Sequence, residues 1–150
     1  MEKILILGAS GALGEYILKE CYSRNFKIRV LTHSKEGHQK VRSYTDDIWC
    51  ANAQEDLTKI KGITKGVDYV ISALGKSVSL FSPGPNSFFE IDYKANVNIL
   101  QEAKENGVKR FFYISMKGAE EASEYTIPGI HKLMEDALKV SGINYSIVRP

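Results

Sequence analysis

Five short apolar runs rich in β-branched and aromatic residues recur along the chain: Ile4–Leu7, Ile28–Leu31, Val67–Ala73, Phe111–Ser115 and Tyr145–Val148. No other feature narrows the choice of fold as much. A run that is apolar throughout, with no polar alternation, suits a strand covered on both faces, and therefore a parallel sheet. Asp47–Ala51 is a sixth, weaker strand. Stretches with helical period lie between the runs. Leu13–Tyr22 follows the first. Asn86–Asn106 repeats Ile91, Ala95, Ile99 and Ala103 every four residues, with Asn96 and Asn98 on its polar side. Ile130–Val140 carries Leu133, Ala137 and Val140 on one face. Asn106-Gly107 and Ser141-Gly142 read as helix stops, each followed by an apolar run. Pro128 suits the first position of a helix, and Ser82-Pro-Gly-Pro is a loop. With 150 residues and no repeat or linker, the chain is expected to form one domain over residues 1–150. The alternation predicts a doubly wound α/β fold, with right-handed crossovers and strand order 3-2-1-4-5-6.

Composition removes several classes of function. Lys and Arg (20) nearly balance Asp and Glu (18), leaving a formal charge of +2, so there is no electrostatic footprint of a nucleic-acid binder. The longest apolar run falls far short of the roughly 20 residues that cross a bilayer, so no membrane partner is expected. Met1-Glu2-Lys3 leads into only four apolar residues without a cleavage site, unlike a signal peptide. Two cysteines, Cys21 and Cys50, fit a reducing compartment better than a disulfide framework. A cytoplasmic protein is expected, and no metal-ligand spacing stands out.

The first apolar run ends in Gly8-Ala9-Ser10-Gly11-Ala12-Leu13-Gly14 and then opens a helix. A diphosphate carries negative charge and needs hydrogen-bond donors. Backbone N–H groups at a helix start supply them, together with a favourable dipole. Glycines tighten the turn and let the backbone approach the phosphates. The spacing is G-x-x-G-x-x-G, a variant of the G-x-G-x-x-G fingerprint. The plain alternative is a tight strand-to-helix turn that holds nothing. Gly75-Lys76-Ser77 is no P-loop, because the glycine required five residues earlier is Val70.

Ile4 to Gly14 resembles the start of atypical short-chain dehydrogenase/reductase (SDR) proteins of the NmrA-like kind. The resemblance continues through Gly66–Gly75 and Val108–Ser115 and closes in Ser141–Pro150, so it spans nearly the whole chain in order. It implies a Rossmann-like fold. It also implies that Gly8, Ser10, Gly11, Ala12, Leu13 and Gly14 hold a cofactor diphosphate, with Ala73, Leu74 and Gly75 along the ribose and nicotinamide side. Proteins of this kind continue past the position of Pro150 into a segment that builds the substrate pocket. A pocket completed by another chain, or a homo-oligomer formed at the last strand, is an expectation on that ground.

The cofactor choice turns on the end of the second strand. NAD sites place an acid there, about 20 residues past the glycine turn, to bind the ribose 2′-hydroxyl. Here the residues are Thr32, His33, Ser34 and Lys35, with no acid before Glu36. Thr32 and Ser34 can hydrogen-bond a phosphate and Lys35 can pair with it. In the resembled family, an Arg that packs on adenine often stands at the position of His33. NADP is favoured, and NAD stays open. The family's Gly-Asp after the third strand is Ala51-Asn52-Ala53 here, so Asn52 would meet the adenine through its amide oxygen, beside Ala53.

For catalysis, SDR enzymes use Tyr-x-x-x-Lys on one helical face. The Lys lowers the Tyr pKa, and a Ser on the fifth strand orients the substrate. Ser115 and Lys132 match the Ser and the Lys, but Pro128 stands where the Tyr belongs and has no proton to donate. Tyr125 is the nearest substitute, in the preceding loop, and His131 is another acid–base group. The plain readings are a surface aromatic for Tyr125, a surface residue for His131, and for Lys132 a pair with Glu135 or Asp136. Asp92 stands where extended SDR enzymes carry an Asn. Three functions remain open. One is an NADP(H)-dependent oxidoreductase acting on a small carbonyl, quinone or flavin, or a nucleotide-sugar epimerase or dehydratase relative. Another is a non-catalytic NADP-binding redox sensor. The last is an inactive domain.

Overall fold

The computed structural model describes residues 1–75, 89–123 and 126–150, the side chains of 90–92 excepted. The Ser82-Pro-Gly-Pro loop, the start of the Asn86 helix, the side chain of Asp92 and the candidate acid Tyr125 lie outside the described residues.

Six parallel strands form one sheet: β1 (Lys3–Leu7), β2 (Lys27–Thr32), β3 (Ile48–Cys50), β4 (Tyr69–Ser72), β5 (Arg110–Ile114) and β6 (Tyr145–Val148). Their order is β3-β2-β1-β4-β5-β6, as the alternation predicts. The order in which strands are added reverses between β1 and β4, which opens the crevice in which doubly wound sheets bind ligands. Alternate side chains of β1 serve two cores. Leu5 and Leu7 join Leu31, Val70, Phe111 and Tyr113 on one face, while Ile4 and Ile6 join Ile28 and Val30 on the other. This is why the strand runs lack polar alternation. Burying each such side chain contributes roughly 1.5–3 kcal/mol.

The second face is covered by α1 (Ala12–Ser23), through Leu18 and Cys21, and by α2 (Lys35–Val41), through Val41. The first is covered by α3 (Asn96–Glu105) and α4 (Ile127–Val140). A π-helical stretch, Phe89–Ala95, runs directly into α3, so the long predicted helix is not uniformly α. Its C-terminal stop is at Asn106, and Gly107 follows with φ +70°. Helix α4 starts at Ile127, one residue before the Pro128 expected at its first position. Thr126 caps it by accepting the Gly129 N–H, and Pro128 takes its second position. The buried stripe of α4 is Ile130, Met134 and Leu138 rather than Leu133, Ala137 and Val140. Both sets fit a 3.6-residue period, but the last turn carries Val140 into solvent at 85% exposure.

The three-residue edge strand β3 is held from β2. Arg29 donates to both Asp47 carboxylate oxygens at 3.0 Å and lies over the Trp49 ring. Lys3 adds a third bond to Asp47 at 3.0 Å. Partial burial pushes the Asp47 pKa up, but the hydrogen bonds from Arg29 and Lys3 outweigh it and hold the group below its ordinary value. No helix among the described residues is long and apolar enough to cross a membrane.

Candidate functional site

At the carboxyl end of β1, Gly8 takes φ +77°, and a Cβ there would lie 2.6 Å from the Ala73 carbonyl oxygen. A side chain at Gly14 would lie 1.8 Å from the Gly8 carbonyl oxygen. Both glycines are thus required by close backbone approach, one against the turn after β4 and the other inside the turn itself. Gly11 closes the turn by donating to the Gly8 carbonyl at 3.1 Å and begins α1 without a side-chain cap. Helix α2 and helix α4, by contrast, are capped by Ser34 and Thr126. The first-turn amides of Ala12, Leu13 and Gly14 therefore have neither an intrahelical acceptor nor a cap. This is the donor set that a diphosphate needs.

A cavity of about 400 Å³ lies over this turn. Its walls come from the turn (Gly8, Ser10, Gly11), the end of β2 (Thr32, His33), the segment after β3 (Ala51, Ala53, Gln54), the turn after β4 (Ala73, Leu74, Gly75) and Ala95 at the head of α3. Most of the residues expected to hold the cofactor thus meet in one place. Ser34 and Lys35 line a second cavity of about 400 Å³, and His33 stands in the wall of both. There His38, Gln39 and Arg42, one to two turns along α2, and Cys50 complete the wall. Asn52 is placed differently. Its amide donates to Glu55 at 3.1 Å and it lines neither cavity. Gln54 lines the first cavity, two residues on, where a turn after a three-residue strand made the register hard to read from sequence.

The residues carried over for catalysis lie along α4 and the end of β5. Ser115 is buried, and its hydroxyl donates to the Glu135 carboxylate at 3.0 Å. Glu135, itself 1% exposed, also accepts from Arg149 Nε at 2.8 Å and Nη2 at 2.6 Å. Lys132 donates to Asp136 at 2.8 Å, one turn along the helix. His131 is half-buried rather than on the surface, with its Nδ1 2.8 Å from the hydroxyl of the buried Tyr113. Burial pushes the His131 pKa below its ordinary value, and the Glu135 charge partly opposes this. Neither Ser115 nor Lys132 lines the cavity over the glycine turn. From the sequence, Glu135 is expected only as a partner for Lys132. Its position between the buried Met134 and Leu138 was the available signal for a buried charge.

Asn96 and Asn98 also differ from expectation. Asn96 is fully buried, accepts from the Ser72 hydroxyl and donates to the Leu74 carbonyl at 3.4 Å. Asn98 donates to the Ala53 carbonyl at 2.6 Å. A polar residue on a helix reads as solvent-facing unless the turns opposite it are known, and here those turns present carbonyls that need donors.

Comparison with known proteins agrees with this geometry. Residues 8–150 match the sequence profile of the family described as NAD(P)H-binding. Divinyl chlorophyllide a 8-vinyl-reductase of Cucumis sativus is 28% identical over 98% of this chain and 38% of its own length. Protein fmp52, mitochondrial, of Aspergillus niger is 24% identical over 99% of this chain and 64% of its own length. The chain thus spans less than two thirds of these relatives. Among solved structures, a candidate NAD-dependent epimerase/dehydratase from Bacillus halodurans superposes with a TM-score of 0.83 at 25% identity, covering 100% of this chain and 70% of that one. The NADPH-dependent quinone oxidoreductase QOR2 of Escherichia coli, complexed with NADPH, shares the fold at a TM-score of 0.72 and 23% identity, over 97% of this chain and 48% of that one. With its glycine turn, its crevice and a profile match over nearly its full length, the chain belongs to the NAD(P)H-binding family, in the NmrA-like, atypical SDR group of Rossmann-fold proteins.

Proposed function

We propose that this chain binds NADPH in preference to NADH and serves reduction of a small carbonyl, quinone or flavin. The observation that carries the reading is a pair of cavities that share His33 in their walls. One lies over uncapped amides, the other is lined by Lys35, Arg42, His33, His38 and Ser34, and no carboxylate lines either among the described residues. The first accommodates a diphosphate and the second a 2′-phosphate, which a carboxylate would repel. Arg42, seven residues past Lys35, adds a fork of donors that the sequence reading did not include.

When bound, the nicotinamide supplies the hydride. The chain would bind and orient it: Ala73, Leu74 and Gly75, in the wall of the main cavity, would hold its ribose side, and Gln54, in the same wall, would take the role expected of Asn52. Ser115 spends its proton on Glu135, so it can accept a hydrogen bond but is no proton donor. With Pro128 in place of the family's tyrosine, the proton comes from water, which suits quinone and flavin acceptors. Lys132 pairs with Asp136 and lines neither cavity, so this geometry does not favour a role for it at a cofactor ribose.

Calorimetric titration with NADPH and NADH tests the cofactor choice. The native protein binds NADPH at least tenfold more tightly, and Lys35→Glu with Arg42→Glu removes the preference. Equal affinity for both cofactors in the native protein would overturn the NADP reading. A second reading, a non-catalytic NADP-binding regulatory module, is favoured by Pro128. NADPH oxidation against a panel of quinones, flavins and aldehydes separates the two, because the module binds NADPH and turns over none of them.

A further inference from the structure

We infer that Asn98 is a positioning residue for the cofactor, acting through the Ala53 carbonyl. The inference rests on the cofactor reading above. Ala53 is buried in the wall of the main cavity and follows β3, a three-residue strand at the sheet edge with a neighbour on one side only. A turn beyond so short an edge strand needs an outside anchor. The 2.6 Å bond from the Asn98 amide to the Ala53 carbonyl supplies one from helix α3.

The start of α3 makes this anchor specific to the site. Ala95 lines the cavity, Asn96 binds Ser72 and the Leu74 carbonyl, and Asn98 binds Ala53. Asn96 and Asn98 are two residues apart, roughly 200° around the helix axis, so they reach to opposite sides. One turn of helix therefore spans two cofactor-lining turns, after β3 and after β4, and sets the distance between them. Each turn presents a carbonyl, and only a donor can hold it there. That explains amides at these positions where a carboxylate or an apolar side chain would fail.

The test is Asn98→Asp, which keeps the shape and exchanges the donor for an acceptor. NADP⁺, which survives mild acid, is titrated calorimetrically into native and variant protein at pH 8 and at about pH 5. At pH 8 the variant binds about tenfold more weakly than native. At pH 5 the new carboxyl, with its pKa raised by the facing carbonyl, is protonated and donates again, so the deficit shrinks to about threefold or less. Asn98→Ala shows the weaker binding at both pH values. Native-like affinity of Asn98→Asp at pH 8, or a deficit that does not shrink in acid, overturns the inference. If Asn98→Asp does not fold, Asn98→Ala decides: affinity within twofold of native overturns it and a loss near tenfold supports it. Failure of the native protein to bind NADP⁺ or NADPH at all overturns the cofactor reading and this inference with it.

Discussion

Gly14 has no room for a side chain, since a methyl group there would run into the Gly8 carbonyl oxygen. Gly14→Ala must push the turn apart, so it is expected to cost roughly 2–4 kcal/mol of stability and to abolish cofactor binding. Thermal unfolding with and without NADPH checks both, and a variant that keeps native affinity would contradict the close packing. His131 carries a pH dependence. Its folded pKa is depressed by burial, so below about pH 6.5 the unfolded chain takes up more protons than the folded one. The stability it contributes is full above pH 6.5 and is lost as the pH falls through the lower folded value. Urea unfolding at pH 7.5, 6 and 5 should show the native protein weakening by at most about 1.4 kcal/mol per pH unit from this group. His131→Gln, which can still bond Tyr113, should lose less over the same range. Equal losses in both would mean that His131 does not titrate with folding. The glycines were legible because their spacing has a mechanical meaning. The burial of His131, Asn96 and Asn98 was not, because it depends on the Tyr113 hydroxyl and on carbonyls from distant turns.

Helix α4 shows what periodicity leaves open. Two stripes fit its sequence, and the buried one contains Glu135. A buried carboxylate is tolerable because Arg149, at the end of β6, meets it with two nitrogens and Ser115 donates to it. Arg149→Met leaves that buried carboxylate with only the Ser115 hydroxyl as partner and should lower the denaturant midpoint. The double variant Glu135→Leu with Arg149→Met should cost less than the sum of the two single changes, as read by denaturant midpoints. Strict additivity would show that the pair is not coupled. The pattern of apolar strands was legible to within about two residues at each end, because strands covered on both faces leave a continuous signature. Helix α2 was not, because its seven residues, Lys35–Val41, are too short and polar to show a period.

At the scale of the whole molecule, alternation and crossover handedness pointed to a doubly wound sheet, the order expected of a dinucleotide-binding fold is the one found, and the crevice follows from that order. The sequence placed the glycine turn, the end of β2 and the 73–75 turn at one site, and they meet around one cavity. It did not reveal that a second, basic cavity adjoins the first. Arg42 and His38 reach that cavity only through the path of α2. A ligand held at both should stabilise the fold by mass action, by about 2.7 kcal/mol at a hundredfold excess over its dissociation constant. The most direct test of the central claim is a crystal structure of the protein with NADPH. Density is expected for the diphosphate against the backbone amides at the start of α1 and for the 2′-phosphate beside Lys35 and Arg42. A cofactor bound elsewhere, or a glycine turn filled by a neighbouring side chain, would contradict the claim.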